Sequence, residues 1–392
     1  MIQTLSFAEV MIKGLPFVVF MIFEMLMIGL AFKLSNTEIV QDHQSNTSKL
    51  KYRFNIESGT ILFLAYVVFI TFFTFVGIDA GSGGNDALVY KTRFEQANIP
   101  LLASLKMQGM EWGYGFLIWL IRSVSSDYKA VLFVTFSFTF FSILYFIKHI
   151  KWNAYTVLTY PMILMLVLTQ TCLMRNMLSV SIGMLVYVMV YEKKYRKASI
   201  FATIAVSIHI SSLILFPIIV MCILLDNEKF SIKKLSLFII LDVVLLFILM
   251  NVSSSLVNGS KYSVYNSTEG IALGTYSMFL IVLFLGFFRY KNLVARNQFN
   301  RTLLITLATG ILCIVMQLHY SIAYRMLLFY QPIMFALVSQ LMEEYQIFSF
   351  RKNGGLFLVY IGLFAYLVLI VYKFLSVGAV AYGLYPYINK LY

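Results

Sequence analysis

In a chain of 392 residues, 60% are hydrophobic and only 12% charged, about half the roughly 25% charged fraction of an ordinary soluble domain. The net charge of +13 does not mark a nucleic-acid binder, because the basic residues stand in short breaks between apolar runs, the positive-inside pattern of a membrane protein.

The apolar runs fall near residues 13–32, 59–77, 130–147, 153–171, 174–191, 198–225, 235–252, 272–288, 302–319, 325–342 and 355–373. Most are about 17 to 20 residues long, enough to cross roughly 30 Å of hydrocarbon as helix. No small-residue cleavage pattern follows the first run, which therefore reads as a retained helix. No break can house a separate soluble domain. The fold class is all-α and polytopic, one integral-membrane domain over 1–392 with about 11–12 transmembrane or partly inserted helices.

The breaks KLSNTEIVQDHQSNTSKLKYR, KHIK, EKKYRK, DNEKFSIKK, RYKNLVARNQFNR and EEYQIFSFRK hold 19 of the 30 Lys and Arg residues, and all are assigned to the cytoplasm. Both termini and the intervening breaks then face outward. The longest outward segment is a loop over about 78–129. Within it GYGFLIWLIRSV is apolar but only about 18 Å long as helix, so it lies in the interface or re-enters it. Trp112, Tyr114 and Trp119 suit that level.

Residues 198–225 lie between two cytoplasmic breaks and are too short for two full crossings. They read as a re-entrant hairpin with His209, Ser211 and Ser212 near its tip. Non-helical backbone at such depth is tolerated only where protein or a wet cavity receives it.

The three cysteines, Cys172, Cys222 and Cys313, lack CxxC spacing and read as buried free thiols. In GIDAGSGGNDALVY (77–90) there is no EF-hand frame, GxGxxG or GK[ST], and no metal site is assigned. Spacing alone makes it a flexible loop with solvated acids. Glu24 and Asp242 fall inside spans, where they read as protonated or hydrogen-bonded. Arg175 and Arg325 stand at outward helix ends. A helix-end arginine commonly snorkels to headgroups; these two, with His209 at a similar depth, also form a receiver for a diphosphate, which guanidinium binds in a bidentate fork.

Gly77-Ile-Asp79 with Tyr90, Glu111-Trp-Gly-Tyr114, Arg175-Asn, His209-x-Ser211-Ser-Leu, and Tyr324-Arg325 with Tyr330 resemble, in that order, the motifs of EpsG-type proteins within the Wzy-type O-antigen and exopolysaccharide polymerases. The chain departs from the pattern where 71–76 reads TFFTFV without an arginine, and where Asn176 replaces a glutamine. The acidic position is left to Asp79 or Asp86, since Asp79 and Tyr90 are more widely spaced than usual.

The resemblance implies an inner-membrane glycosyltransferase of GT-C-like architecture with a periplasm-facing cavity. It would transfer a growing chain from undecaprenyl diphosphate onto a newly flipped repeat unit. The implied partners are undecaprenyl-diphosphate-linked oligosaccharides, membrane lipids and a chain-length regulator, with no nucleic acid. No metal or other cofactor is implied, because cationic side chains stabilise the departing diphosphate. Candidate bases are Asp79, Asp86, Glu111 and His209; Arg175 and Arg325 would meet the diphosphate; Tyr90, Trp112, Tyr114 and Tyr324 would serve as sugar platforms. An O-antigen ligase and a lipid-linked-oligosaccharide flippase are the competing readings, although the chain lacks the paired broken helices of repeat-built transporters.

Overall fold

A computed structural model of the chain describes residues 7–42, 47–76, 86–106, 110–150, 154–225, 240, 244, 273–317 and 323–344. Asp79, Asp242, the tyrosine-rich stretch KYSVYNS, and the expected spans 235–252 and 355–373 lie outside the described residues, 240 and 244 excepted.

The chain is a helical membrane protein. Helix α1 (Phe7–Leu34) leads into the two antiparallel strands β1 (Asn36–Asp42) and β2 (Thr47–Arg53), paired from Asn36↔Arg53 to Asp42↔Thr47. This hairpin occupies the first basic break and is the one non-helical regular element among the described residues. Helix α2 (Ile56–Ile70) begins on an Asn55 cap, whose Oδ1 accepts from Ser58 N at 2.8 Å, and runs on as a π turn over Thr71–Val76. Then follow α3 (Ala87–Gln96), α4 (Leu101–Leu105), α5 (Trp112–Val124), α6 (Lys129–His149), α7 (Ala154–Leu168) and α8 (Met174–Tyr191). The remaining helices among the described residues are α9 (Tyr195–Ile208), α10 (Leu215–Leu225), α11 (Leu273–Phe288), α12 (Tyr290–Arg296), α13 (Phe299–Gln317), α14 (Ala323–Leu327) and α15 (Gln331–Glu344).

Among the described residues three stretches, Ile56–Thr74, Lys129–His149 and Met174–Tyr191, are long and apolar enough to cross a membrane singly, and the bent pair Ser277–Phe288 plus Tyr290–Arg296 makes a fourth if it is one span. Because lipid is as apolar as leucine, such helices associate through close packing and hydrogen bonds rather than hydrophobicity. Small residues let α8 and α9 approach: Ala198, Ala202 and Ala205 on one face of α9 are all fully buried. A buried hydroxyl relay adds to this. Thr139 Oγ1 of α6 lies 2.9 Å from Gln170 Oε1 and 2.9 Å from Ser181 Oγ of α8. On the other side, aromatic rings close α1, α2 and α6 together, with Phe20 stacked on Phe72 at 4.1 Å and Phe73 on Phe136 at 4.7 Å.

Five of the six basic breaks gather at one end of the bundle, and the sixth, 226–234, lies outside the described residues. His149 Nε2 lies 3.2 Å from Glu192 Oε1, and Asn297 Nδ2 donates to His149 O at 3.5 Å. Arg296 meets Glu343 at 3.3 Å and Glu344 at 2.9 Å, while Lys148 stands over the Phe54 ring. Five breaks that the charge pattern assigned to one side thus sit together. Helix α8 carries 18 residues, about 27 Å at 1.5 Å per residue, and Arg175 lies at its opposite end.

Two of the apolar runs are broken helices. The run 198–225 divides at His209, whose backbone is extended (φ −153°, ψ 127°), and a 3-10 turn (Ile210–Ile214) joins α9 to α10. Each arm is shorter than a crossing, and α9 and α10 touch. The run 325–342 is a five-residue helix, a turn, and then α15. Glu24 of α1 is fully buried, with neither carboxylate oxygen hydrogen-bonded among the described residues. The three cysteines are buried and form no disulfide, as their spacing indicated.

Candidate active site

Four elements converge at the end of the bundle away from the basic breaks, and Glu111 ties three of them together. Glu111 is the extended N-cap residue of α5, and its side chain points back to the helix pair α8–α9. Oε2 meets Arg175 Nη1 of α8 at 2.5 Å. Oε1 lies 3.1 Å from His209 Nδ1 and 3.4 Å from the backbone N–H of Ile210. The Nδ1 contact is bent away from the ring N–H line, so charge contributes more to it than a directional hydrogen bond. Burial alone would raise the proton affinity of Glu111. The His209 contact and the Arg175 charge outweigh it and bring the carboxyl down to about 2, so it is ionised at neutral pH.

Glu111 reaches α9 because α5 carries glycine at Gly113. A Cβ there would stand 2.7 Å from both Ser207 Cβ and Ser207 O, which nothing but glycine avoids. The buried face of α5 presents Tyr114, Ile118 and Ile121, while Trp112, Phe116, Leu120 and Val124 form an exposed stripe at four-residue spacing. That stripe is what an interfacial helix requires.

The helix stops at His209, whose N–H still donates to Ala205 O at 2.9 Å, and hydroxyls supplement the carbonyls around the break. Ser212 Oγ lies 2.7 Å from His209 O and 3.1 Å from Ala205 O, and Ser179 Oγ of α8 also reaches Ala205 O at 3.2 Å. Such answering is what permits a break inside a membrane protein. Asn176, next to Arg175, locks the fourth element in place: its Nδ2 donates to Arg325 O at 3.3 Å, and its Oδ1 accepts from Ser211 Oγ at 3.0 Å. One amide therefore joins α8, the 3-10 turn and α14.

Arg175 sits near the N-terminus of α8, where unpaired N–H groups already favour anions. Its guanidinium stands 5.9 Å from the centre of the Tyr90 ring. Tyr90 is 6% exposed and packs edge-on against Tyr114, which is 1% exposed and donates from its hydroxyl to Met174 Sδ at 3.2 Å. Burial pushes the Tyr90 phenol up, so it stays neutral. Arg325 lies within electrostatic reach of both His209 and Tyr90.

Of the residues singled out from sequence, the structure therefore brings together Glu111, His209, Arg175, Arg325, Tyr90 and Tyr114. Asp86 stands one turn before Tyr90 at the start of α3, its carbonyl accepting from Tyr90 N at 3.0 Å. Trp112 adjoins Glu111 on the exposed side, and Tyr324 adjoins Arg325 half-buried. Asp79 lies outside the described residues. Tyr90 and Tyr114 are interior residues that shape the arginine's surroundings, and Trp112 is the aromatic that stands open. Sequence reading missed the bracing by Asn176 and Ser211 and the close approach at Gly113. The glycine at the start of an apolar helix was the available signal for the latter. Among the described residues no group of His, Cys, Asp and Glu could hold a metal ion.

The EpsG family model matches residues 62–389, a stretch that includes every residue of this site. No curated protein and no solved structure matches the chain.

Proposed function

The chain belongs to the EpsG family, and from that premise we propose that it is a surface-polysaccharide polymerase. It joins undecaprenyl-diphosphate-linked oligosaccharide units on the periplasmic face of a bacterial inner membrane, with GT-C-like architecture. The growing chain leaves its lipid diphosphate and is transferred to the terminal sugar of an incoming unit, and a chain-length regulator acts beside it.

The observation that carries this reading is the meeting of two guanidiniums, an imidazole and a carboxylate at one end of a membrane bundle, opposite the basic breaks. Glycosyl transfer from a diphosphate needs positive charge where negative charge develops on the leaving group. Arg175 and Arg325 supply it without a metal ion. Arg175 is held ready by Glu111 and Tyr90, and Arg325 by the Asn176 amide on its own carbonyl. Such preorganisation costs no reorganisation when the bond breaks. A lipid-linked substrate needs lateral access from the bilayer, and the broken helices at His209 and Arg325 and the half-length α5 fit that need.

The test is the surface polysaccharide of a deletion strain. Loss of the protein leaves lipid A–core carrying at most one repeat unit, with the ladder gone. Bare core with accumulated lipid-linked polymer would mark a ligase instead, and absence of periplasmic repeat units would mark a flippase.

A further inference from the structure

We propose that His209 is the general base of chain transfer, through Nε2, and that Glu111 is the positioning residue that holds its ring. The inference rests on the polymerase reading above and assigns roles within that site.

Glu111 itself is poorly placed to accept a proton. Both of its oxygens are engaged, Oε2 by Arg175 and Oε1 by His209 and the Ile210 N–H. A base works best when its proton affinity lies near the working pH, and a carboxyl at about 2 is far below it. The imidazole has the complementary arrangement. Its Nδ1 lies 3.1 Å from the carboxylate, whose negative charge favours the proton on that nitrogen and leaves the lone pair on Nε2. His209 is buried, its backbone is the extended link between α9 and the 3-10 turn, and Ser212 Oγ donates to its carbonyl. The charged groups that face it are Glu111 from α5, Arg175 from α8 and Arg325 from α14. The same two arginines await the leaving group, so base and electrophilic support stand side by side.

In the step itself the acceptor oxygen attacks the anomeric carbon while its proton passes to Nε2. The new carbon–oxygen bond forms as the bond from that carbon to the diphosphate breaks, and its electron pair leaves on the diphosphate oxygen facing Arg175 and Arg325. The imidazolium, stabilised by Glu111, then returns its proton to solvent.

The experiment measures chain growth by the full-length protein in proteoliposomes, using polyprenyl-diphosphate-linked repeat units between about pH 5 and about pH 9. His209→Gln should lower kcat by about 10²-fold or more at every pH, with KM for the units little changed. Glu111→Gln should lower the plateau and move the acid limb to lower pH, because an imidazolium without its carboxylate sheds its proton more easily. Glu111→Asp, which keeps the charge, should return the limb toward its original position. The proposal is overturned if His209→Gln retains more than about a tenth of kcat, a loss too small for general base catalysis. It is equally overturned if Glu111→Gln abolishes activity at all pH, as loss of the base itself would do, or leaves the limb where it was. Should His209→Gln not fold, the Glu111 pair still decides. Wild-type protein that makes no polymer would refute the polymerase reading; wild-type polymerisation with an insensitive His209 refutes the base assignment alone.

Discussion

Gly113 of α5 lies so close to Ser207 of α9 that a Cβ on the glycine would stand 2.7 Å from the serine carbonyl oxygen. Main chain cannot rotate out of the way as a side-chain tip can. Gly113→Ala should therefore lever α5 off α9 and draw Glu111 away from His209 and Arg175. Overpacking of this kind costs about 1–3 kcal/mol, and polymerisation should drop while the protein still accumulates in the membrane. Adding Ser207→Gly removes the clashing Cβ and hydroxyl but not the carbonyl, so activity should return in part. A Gly113→Ala protein with an undiminished polysaccharide ladder would mean that the approach of α5 to α9 does not matter for catalysis.

Arg175 is held by Glu111 on one side and lies over Tyr90 on the other. Lysine keeps the charge and loses the planar fork. Arg175→Lys should cost about 10²–10³ in turnover, the usual loss for a preorganised charge contact. Arg325→Lys should behave alike, whereas arginines that only anchor to headgroups would tolerate lysine. Quantifying chain-length distribution in complemented deletion strains separates these outcomes. Normal ladders from both lysine variants would remove the diphosphate role.

Asn176 joins Ser211 to the backbone of Arg325. Asn176→Ala and Ser211→Ala each break the same Ser211–Asn176 bond, so their effects should overlap rather than add. Each single change should cost about 1–2 kcal/mol of stability or its equivalent in turnover. Strict additivity in the thermal unfolding of purified single and double variants would show that the amide does not couple the two elements.

The Glu111 carboxyl is lowered from 4.5 to about 2. A carboxyl more acidic in the folded state than in the unfolded one stabilises the fold above its unfolded value, and that contribution fades as pH falls through the folded value. Detergent-solubilised protein should therefore be more stable than Glu111→Gln by a constant margin above about pH 5, and the margin should narrow between about pH 4.5 and about pH 2. Glu192, brought to about 2 chiefly by the His149 hydrogen bond, should behave similarly at the other end of α8. A margin that widens on acidification would contradict the pairing.

Much of the bundle was legible because apolar runs and charged breaks alternate cleanly. The run 174–191 coincides with α8, since Arg175 and Glu192 mark its ends in polarity. Four of the basic breaks that charge asymmetry placed on one side do meet, through His149, Glu192, Asn297, Arg296 and Glu344. The short apolar stretch near 113–124 is the helix α5, with its lipid-type stripe. Other features carry no local signal. The hairpin of Asn36–Asp42 and Thr47–Arg53 lay hidden in a break read only for its charge. The helix break before Arg325's successor helix is invisible in a run that is apolar throughout. Above all, the Glu111 bridge joins residues 64 positions apart to Arg175 and 99 to Ile210. Such a meeting follows from how α5 lies across α8 and α9, and hydrophobic periodicity does not encode it.

Purified protein reconstituted with polyprenyl-diphosphate-linked repeat units tests the central claim most directly. The readouts are a polysaccharide gel and the lipid diphosphate released. A polymerase with the site formed by Glu111, Arg175, His209 and Arg325 should build a ladder without added divalent metal, releasing one lipid diphosphate for each bond formed. Arg175→Lys should release far less. Repeat units that cross the bilayer unchanged, with no ladder and no released diphosphate, would make the protein a transporter and contradict the assignment.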